Sequence, residues 1–218
     1  MLFDPIDIKE RVQEILDFDV SLDESQKLAT YAELLLKWNA TYNLTSIENP
    51  NDVIDLHLID SLSLVKFAAK WLEGEKEVLD IGSGGGLPGI PLAIVKPSLD
   101  VTLIDAVQKK TIFQRQAIAM CKINNAMAVH GRIEKMKDKN FDVITCRAFS
   151  SLKEMIVLSR HLLKDNGVWI AMKGRMPTEE ISDLPKDIEL VDLIKVTAVE
   201  EKMQRHLIIL KMNESKVC

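Results

Sequence analysis

The chain has 218 residues and a mass of 24.6 kDa, with 47% hydrophobic and 28% charged residues, proportions that exclude a fibre, a disordered chain and a disulfide-stapled miniprotein. No apolar run approaches the roughly 18 residues a membrane helix needs. The acidic start Met1-Leu2-Phe3-Asp4 lacks the basic and apolar regions of a signal peptide, so a cytoplasmic protein without membrane attachment is expected. The 28 basic and 33 acidic residues give a net charge of −5, unevenly spread. Residues 106–175 hold 14 Lys and Arg against 5 Asp and Glu, whereas residues 1–105 hold 8 against 19. A basic middle third fits a polyanionic partner only where a second feature supports one. The alternative is an ordinary solvated surface.

In chain order, residues 6–18 and 22–43 read as helices. Leu28, Tyr31, Leu35, Trp38 and Tyr42 recur at three- and four-residue steps, and Ser21 with Glu24 fits a capping box. Asn49-Pro50-Asn51 is a turn. Residues 52–71 read as one more amphipathic helix, with Ile54, Leu58, Leu62, Val65 and Ala69 on one side and Gly74 as its breaker.

After Glu77 the period changes. Short apolar runs at 78–81, 101–104, 127–129, 142–146 and 168–172 are interleaved with helical stretches at 89–95, 107–122 and 152–163. This alternation predicts a parallel sheet covered by helices, because parallel neighbours need crossover connections. The runs Leu190–Val196 and His206–Lys211 have no helix between them and are expected to pair antiparallel at one sheet edge. The fold class is therefore α/β: a mostly parallel Rossmann-like sheet with an antiparallel terminal hairpin, preceded by an N-terminal helical segment. Residues 1–73 read as that extension, packed on a core domain of residues 74–218.

Five of the nine glycines fall between Asp80 and Gly89, in the loop joining the first strand to its helix. Ligands of open α/β sheets bind at such a place, and glycine lets them lie against the backbone. Gly84, Gly86 and Gly89 spell GxGxxG, and Asp105 ends the second strand 16 residues on, where an acid meets ribose hydroxyls. NAD and S-adenosylmethionine both carry that ribose. The helical prelude, the want of a second domain for a hydride partner and the terminal hairpin favour S-adenosylmethionine, the last by fold analogy. An NAD(P)-dependent oxidoreductase is the alternative.

Ordered along residues 20–175 stand Trp38-Asn39, Tyr42-Asn43-Leu44-Thr45-Ser46, His57 with Asp60-Ser61, and the loop Asp80–Leu92. After them come Asp105 with Lys109-Lys110 and Phe113, Arg132 with Glu134, Arg147-Ala148 and Lys173-Gly174. This set resembles the RsmG family, also called GidB. The resemblance implies a class I methyltransferase that moves a methyl group from S-adenosylmethionine to N7 of a guanine in the 530 loop of bacterial 16S ribosomal RNA. It further implies a cofactor pocket lined by Gly82 and Leu87 from the first loop, with Ile133 and Glu134 flanking the adenine and Arg147 completing the set. Gly84 and Asp105 join it from the glycine motif and the strand end, and the Arg147 guanidinium suits a carboxylate or phosphate. Asp80 or Glu134 would balance the cofactor's positive charge. The partner would be 16S ribosomal RNA or the small ribosomal subunit. One departure is Leu56, where the family usually has a basic residue before the position of His57.

Guanine N7 presents a lone pair and no proton, so its methylation needs positioning rather than a catalytic base, and no catalytic residue is expected. Cys146 opens a competing route, in which a thiolate attacks a pyrimidine for carbon-5 methylation. As a small buried residue it would be inert. A non-catalytic RNA-binding module is the third reading. Cys121, Cys146 and Cys218 form no CxxC pair, which argues against disulfides and a metal site. Lys173, after the fifth strand, and Arg175 are the expected phosphate contacts.

Overall fold

A computed structural model describes residues 2–137, 139–147, 149–199 and 203–213; Ala148 of the quoted motifs and Cys218 lie outside these. Helix α1, Pro5–Leu16, starts where the Asp4 carboxylate accepts the Ile6 N–H and proline fills the first turn. It ends at Asp17, whose φ is 57°. Ile8, Val12 and Leu16, one per turn, are buried, each contributing about 1.5–3 kcal/mol of apolar burial. Helix α2, Leu22–Tyr42, carries the expected capping box of Ser21 and Glu24 and turns off at Asn43, φ 49°.

The stretch expected as one helix at 52–71 is broken into pieces. A short α3, Pro50–Val53, runs into a π-helical segment at Ile54–Ile59, then α4, Asp60–Phe67, and a 3-10 turn at Ala69–Trp71. Ile54, Leu58 and Leu62 are buried as expected. The widened turns also bury Asp55, His57 and Asp60, which a single amphipathic stripe would not do.

The sheet comprises β1 Lys76–Ile81, β2 Leu99–Asp105, β3 Ala126–His130, β4 Phe141–Arg147, β5 Leu163–Lys173, β6 Ile188–Lys195 and β7 His206–Met212. Its order is β3-β2-β1-β4-β5-β7-β6, with β1 to β5 parallel and β7 antiparallel to both β5 and β6. The connections include α5 Gly89–Val95, α6 Gln108–Met120, α7 Leu152–Ser159 and α8 Thr178–Ser182.

A hydrophobic core runs without a break from Phe3, just ahead of α1, through the N-terminal helices to Val78, Val101 and Val143 on one face of the sheet. Phe113 of α6 meets Trp38 of α2 at 5.6 Å between ring centroids. On the other face Trp169 packs with Ile144 and Met155, and its indole N–H donates to Ser159 Oγ at 2.9 Å. Among the described residues no helix is long and apolar enough to cross a membrane.

Strand order reverses direction between β1 and β4, and there a crevice opens beyond the carboxyl ends of the strands. The register pairs Ile81 with Ile104, Asp80 with Thr145, and Arg147 with Met172. Gly82, Asp105, Arg147 and Lys173 therefore emerge side by side.

Candidate active site

The glycine loop is fastened from three elements. Gly82 N–H donates to the Ile104 carbonyl at 2.9 Å and Gly84 N–H to Asp105 Oδ2 at 2.9 Å. From α6, Gln114 Nε2 donates to Ser83 Oγ and to the Gly84 carbonyl, at 2.9 and 2.8 Å. From α2, the buried Tyr31 hydroxyl donates to the Gly85 carbonyl at 2.6 Å. Gly82 and Gly84 take φ of 63° and 56°, which only glycine adopts freely. The other glycines serve the protein's own packing: a Cβ at Gly85 would lie 2.9 Å from Leu35 of α2, one at Gly86 2.4 Å from Ile90, and one at Gly89 2.8 Å from the Asp80 carboxylate. The density of glycine thus reports close helix approach as much as a ligand seat, a correction to its reading from sequence.

Two cavities meet at Gly82. The smaller, about 270 Å³, has Gly82, Asp105, Ile133, Glu134 and Phe149 in its wall. The larger, about 570 Å³, has Gly82, Gly84, Leu87 and Arg147, together with Thr45 and His57 from the N-terminal segment. The seven residues expected to hold a cofactor thus line this pair of cavities. Gly82 is exposed, and a Cβ there would point at the Phe149 ring, 3.7 Å away. A side chain at this position would fill the passage that joins them.

Asp105 is buried, and each of its oxygens takes one backbone N–H, from Gly84 at 2.9 Å and Val107 at 2.8 Å. It anchors the loop in addition to facing the smaller cavity. Glu134 is exposed, 3.9 Å from Arg132. Asp80 is fully buried. Its Oδ2 accepts the Gly89 N–H at 2.9 Å while Oδ1 has no partner among the described residues, and burial pushes its carboxyl from 3.8 up to about 7.

Arg147 is not an open fork waiting for an anion. Its Nη1 donates to the Leu56 carbonyl at 3.0 Å and to Asp60 Oδ2 at 3.1 Å, and its Nη2 lies 3.1 Å from His57 Nδ1. Asp60, wholly buried, also receives Arg205 Nε and Nη2 at 2.7 and 2.8 Å. Two guanidiniums around one carboxylate leave a net positive charge in the cavity wall. Burial foremost, then the charge of Arg147, lowers His57 to about 4, so its ring is neutral at physiological pH.

Lys173 also lines the larger cavity, but its ammonium lies 2.9 and 3.1 Å from the two oxygens of Glu180, with the side chain 12% exposed. Its ammonium is thus paired within the protein, while Arg175 is exposed. Other cations of the middle third are similarly occupied. Lys139 pairs with Glu77 and Asp100 at the opposite end of the strands, and Arg115 donates to the Ala128 carbonyl.

Cys146 is fully buried with Sγ 3.3 Å from Met155 Sδ, and burial pushes its thiol up to about 12. A carbon-5 mechanism would need an accessible thiolate, which this position denies. Sequence reasoning missed Tyr31, Gln114 and Arg205. Tyr31 and Gln114 lie on helices whose periodicity explains them as packing, and Arg205 precedes β7 with no motif around it. Burial of polar atoms beside the loop is the signal that finds them, and it exists only in three dimensions.

A family model described as "rRNA small subunit methyltransferase G" (GidB) matches residues 24–208. The Ribosomal RNA small subunit methyltransferase G of Neisseria meningitidis is 43% identical over 197 residues, 89% of this chain and 92% of the relative. That of Methylobacillus flagellatus is 44% identical over 197 residues, again 89% and 92%. Among solved structures, a SAM-dependent methyltransferase from Thiobacillus denitrificans in complex with S-adenosyl-L-homocysteine superposes with a TM-score of 0.53 at 17% identity, covering 81% of this chain and 98% of that one. TrmN from Thermus thermophilus gives 0.53 at 17%, covering 73% and 53%. These structural likenesses show the fold, a class I methyltransferase. Neither the oxidoreductase nor the carbon-5 reading finds support in them. With its motifs brought together around one crevice and nearly nine-tenths of its length matched, the chain belongs to the rRNA small subunit methyltransferase G family.

Proposed function

We propose that this protein transfers the methyl group of S-adenosylmethionine to N7 of a guanine in the 530 loop of 16S ribosomal RNA. The observation that carries this reading is the crevice that straddles Gly82, with an adenosine-sized cavity on one side and a guanidinium-lined cavity on the other, in a chain of this family. When bound, S-adenosylmethionine supplies an electrophilic methyl group on a sulfonium. Ile133 and Phe149 offer apolar faces to its adenine and Glu134 an acceptor to the ring edge. Each Asp105 oxygen keeps a lone pair for a ribose hydroxyl after its backbone bond. Arg147, steadied by Asp60, would face its carboxylate.

The protein need move no proton, since N7 carries none. The work of the residues is alignment and exclusion of water, which together account for large rate factors without acid or base groups. Cys146, protonated and buried, has no part in it. Exposed Lys109, Lys137 and Arg175 are the cations proposed to follow RNA phosphates. On this reading the partner is 16S RNA, bare or in the small subunit, and the protein works in the cytoplasm.

The test is incubation of the protein and labelled S-adenosylmethionine with small subunits lacking the modification, and with naked 16S RNA, followed by nucleoside analysis. Label in N7-methylguanosine is expected. Label in an amine-methylated guanosine or in 5-methylcytidine would overturn the assignment.

A further inference from the structure

A line of polar groups leads from the Asp60 cluster to the wall of the larger cavity. Arg147 Nη2 is 3.1 Å from His57 Nδ1, His57 Nε2 is 2.7 Å from Thr45 Oγ1, and the Ile47 N–H donates to that same oxygen at 3.1 Å. The Thr45 backbone is held in place by its N–H, which donates to the buried Asn39 Oδ1 at 2.8 Å. The direction of the protons follows from the arginine end. A guanidinium has five N–H donors and no lone pair, so the nitrogen opposite Nη2 bonds to it only as an acceptor. The Leu56 carbonyl, 2.9 Å from that nitrogen, competes for a proton on it. That carbonyl accepts from Arg147 Nη1 at 3.0 Å and keeps a second lone pair, so the choice falls to Nη2, whose N–H points at Nδ1 and would confront a proton there.

The His57 ring is 3% exposed and neutral, so with Nδ1 as acceptor its single proton sits on Nε2 and goes to Thr45. Thr45 Oγ1 then receives two N–H groups, one for each lone pair a hydroxyl possesses. What remains to it is its own proton, which neither neighbour can take. Thr45 is half-buried and lines the cavity that also holds Gly82 and Arg147.

We infer that the Thr45 hydroxyl is a fixed hydrogen-bond donor to the target base, and that it reads O6 of guanine, the acceptor adjacent to N7. This rests on the guanine-N7 reading proposed above and adds to it the group that selects the base. Guanine shows two neighbouring acceptors, O6 and N7, on this edge, whereas adenine carries an amino donor in place of O6. A donor that cannot turn itself into an acceptor meets guanine productively and adenine with two opposed protons. Sites built around such a buried polar contact discriminate far more strongly than apolar ones.

The test compares the wild type with Thr45→Val and Thr45→Ser for S-adenosylhomocysteine affinity by calorimetry and for kcat/KM on unmethylated small subunits. Alongside, the nitrogen-15 spectrum of the His57 imidazole is recorded in the wild-type protein. For Thr45→Val, kcat/KM is expected to fall about ten- to a hundred-fold, the range of one hydrogen bond to a buried group, with cofactor affinity unchanged. Thr45→Ser is expected to recover most of the loss, and the spectrum to show the proton on Nε2. A Thr45→Val protein that transfers methyl as the wild type does, or a spectrum with the proton on Nδ1, would overturn the inference. A wild type that binds cofactor yet methylates no guanine would overturn the functional reading and the O6 assignment with it. The imidazole spectrum would still decide the polarity of Thr45 in that case, so the two failures are told apart.

Discussion

Arg205 grips Asp60 across 145 residues of chain, its Nε and Nη2 donating to the two carboxylate oxygens at 2.7 and 2.8 Å. Arg147 Nη1 reaches one of the same oxygens at 3.1 Å. The pair ties the first turn of α4 to the segment entering β7, and through Arg147 to the end of β4. In Asp60→Asn the two guanidiniums would face each other without their counter-charge, in a site where the carboxylate has no exposure. Removing one partner of such a buried group costs about 3–5 kcal/mol. Urea denaturation is expected to show a loss of that size and calorimetry a weaker S-adenosylhomocysteine complex; a loss under about 1 kcal/mol would show that the triad does not organise the site.

Tyr31 on α2 holds the glycine loop from outside through its 2.6 Å bond to the Gly85 carbonyl. Burial raises its phenol well above 10, so it stays a donor at any working pH. Tyr31→Phe leaves that carbonyl unpaired in an apolar setting, a cost of about 1–2 kcal/mol. Stability is expected to fall by that amount and cofactor affinity by several fold. Loss of stability with an unchanged affinity would separate the N-terminal helices from cofactor binding.

Asp80 gives a pH dependence with a definite sign. Its folded value of about 7 lies above its ordinary 3.8, so between about pH 4 and 7 the folded carboxyl holds a proton that the unfolded chain has lost. Stability therefore decreases as pH rises through that window and levels off above it, by an amount on the order of 4 kcal/mol. His57, lowered from 6.5 to about 4, acts in the opposite direction over pH 4 to 6.5. The difference between wild type and Asp80→Asn isolates the carboxyl: the variant is expected to gain on the wild type steadily from pH 4 to 7. Parallel stability curves for the two would refute the buried carboxyl as the source.

Cys146→Ala is expected to keep methyl transfer within about three-fold of wild type, because the thiol, pushed up to about 12, is neither exposed nor ionised. In the folded protein it should resist iodoacetamide. An inactive variant with intact cofactor affinity would restore the carbon-5 mechanism.

Much of the fold was legible because alternation of β-rich runs with helical periods survives in the one-dimensional pattern. Strands β1, β2 and β4, and helix α5, fall where the apolar runs and the loop glycines place them. The terminal hairpin followed from two β-rich runs with no helix between them. The π-helical segment at Ile54–Ile59 was not legible, since one extra residue per turn keeps Ile54, Leu58 and Leu62 inside while adding Asp55 and His57 to the buried face. The backbone part of the site was similarly readable, for Gly82, Asp105 and Arg147 sit at strand ends. What each side chain is bonded to was not, because it depends on residues remote in sequence. Arg147 is committed to Asp60 and Lys173 to Glu180, and both looked free when read from neighbouring residues alone. Charge counts had the same weakness, as Lys139 adds to the basic middle third yet sits on Glu77 and Asp100, away from the crevice.

The most direct test of the crevice at Gly82 is a crystal structure of the protein with S-adenosylhomocysteine. Adenine in the smaller cavity beside Ile133 and Phe149, with the amino-acid limb passing Gly82 toward Arg147, is the expected result. A ligand bound elsewhere, or the passage at Gly82 closed by Phe149 with no ligand taken up at saturating concentration, would contradict it.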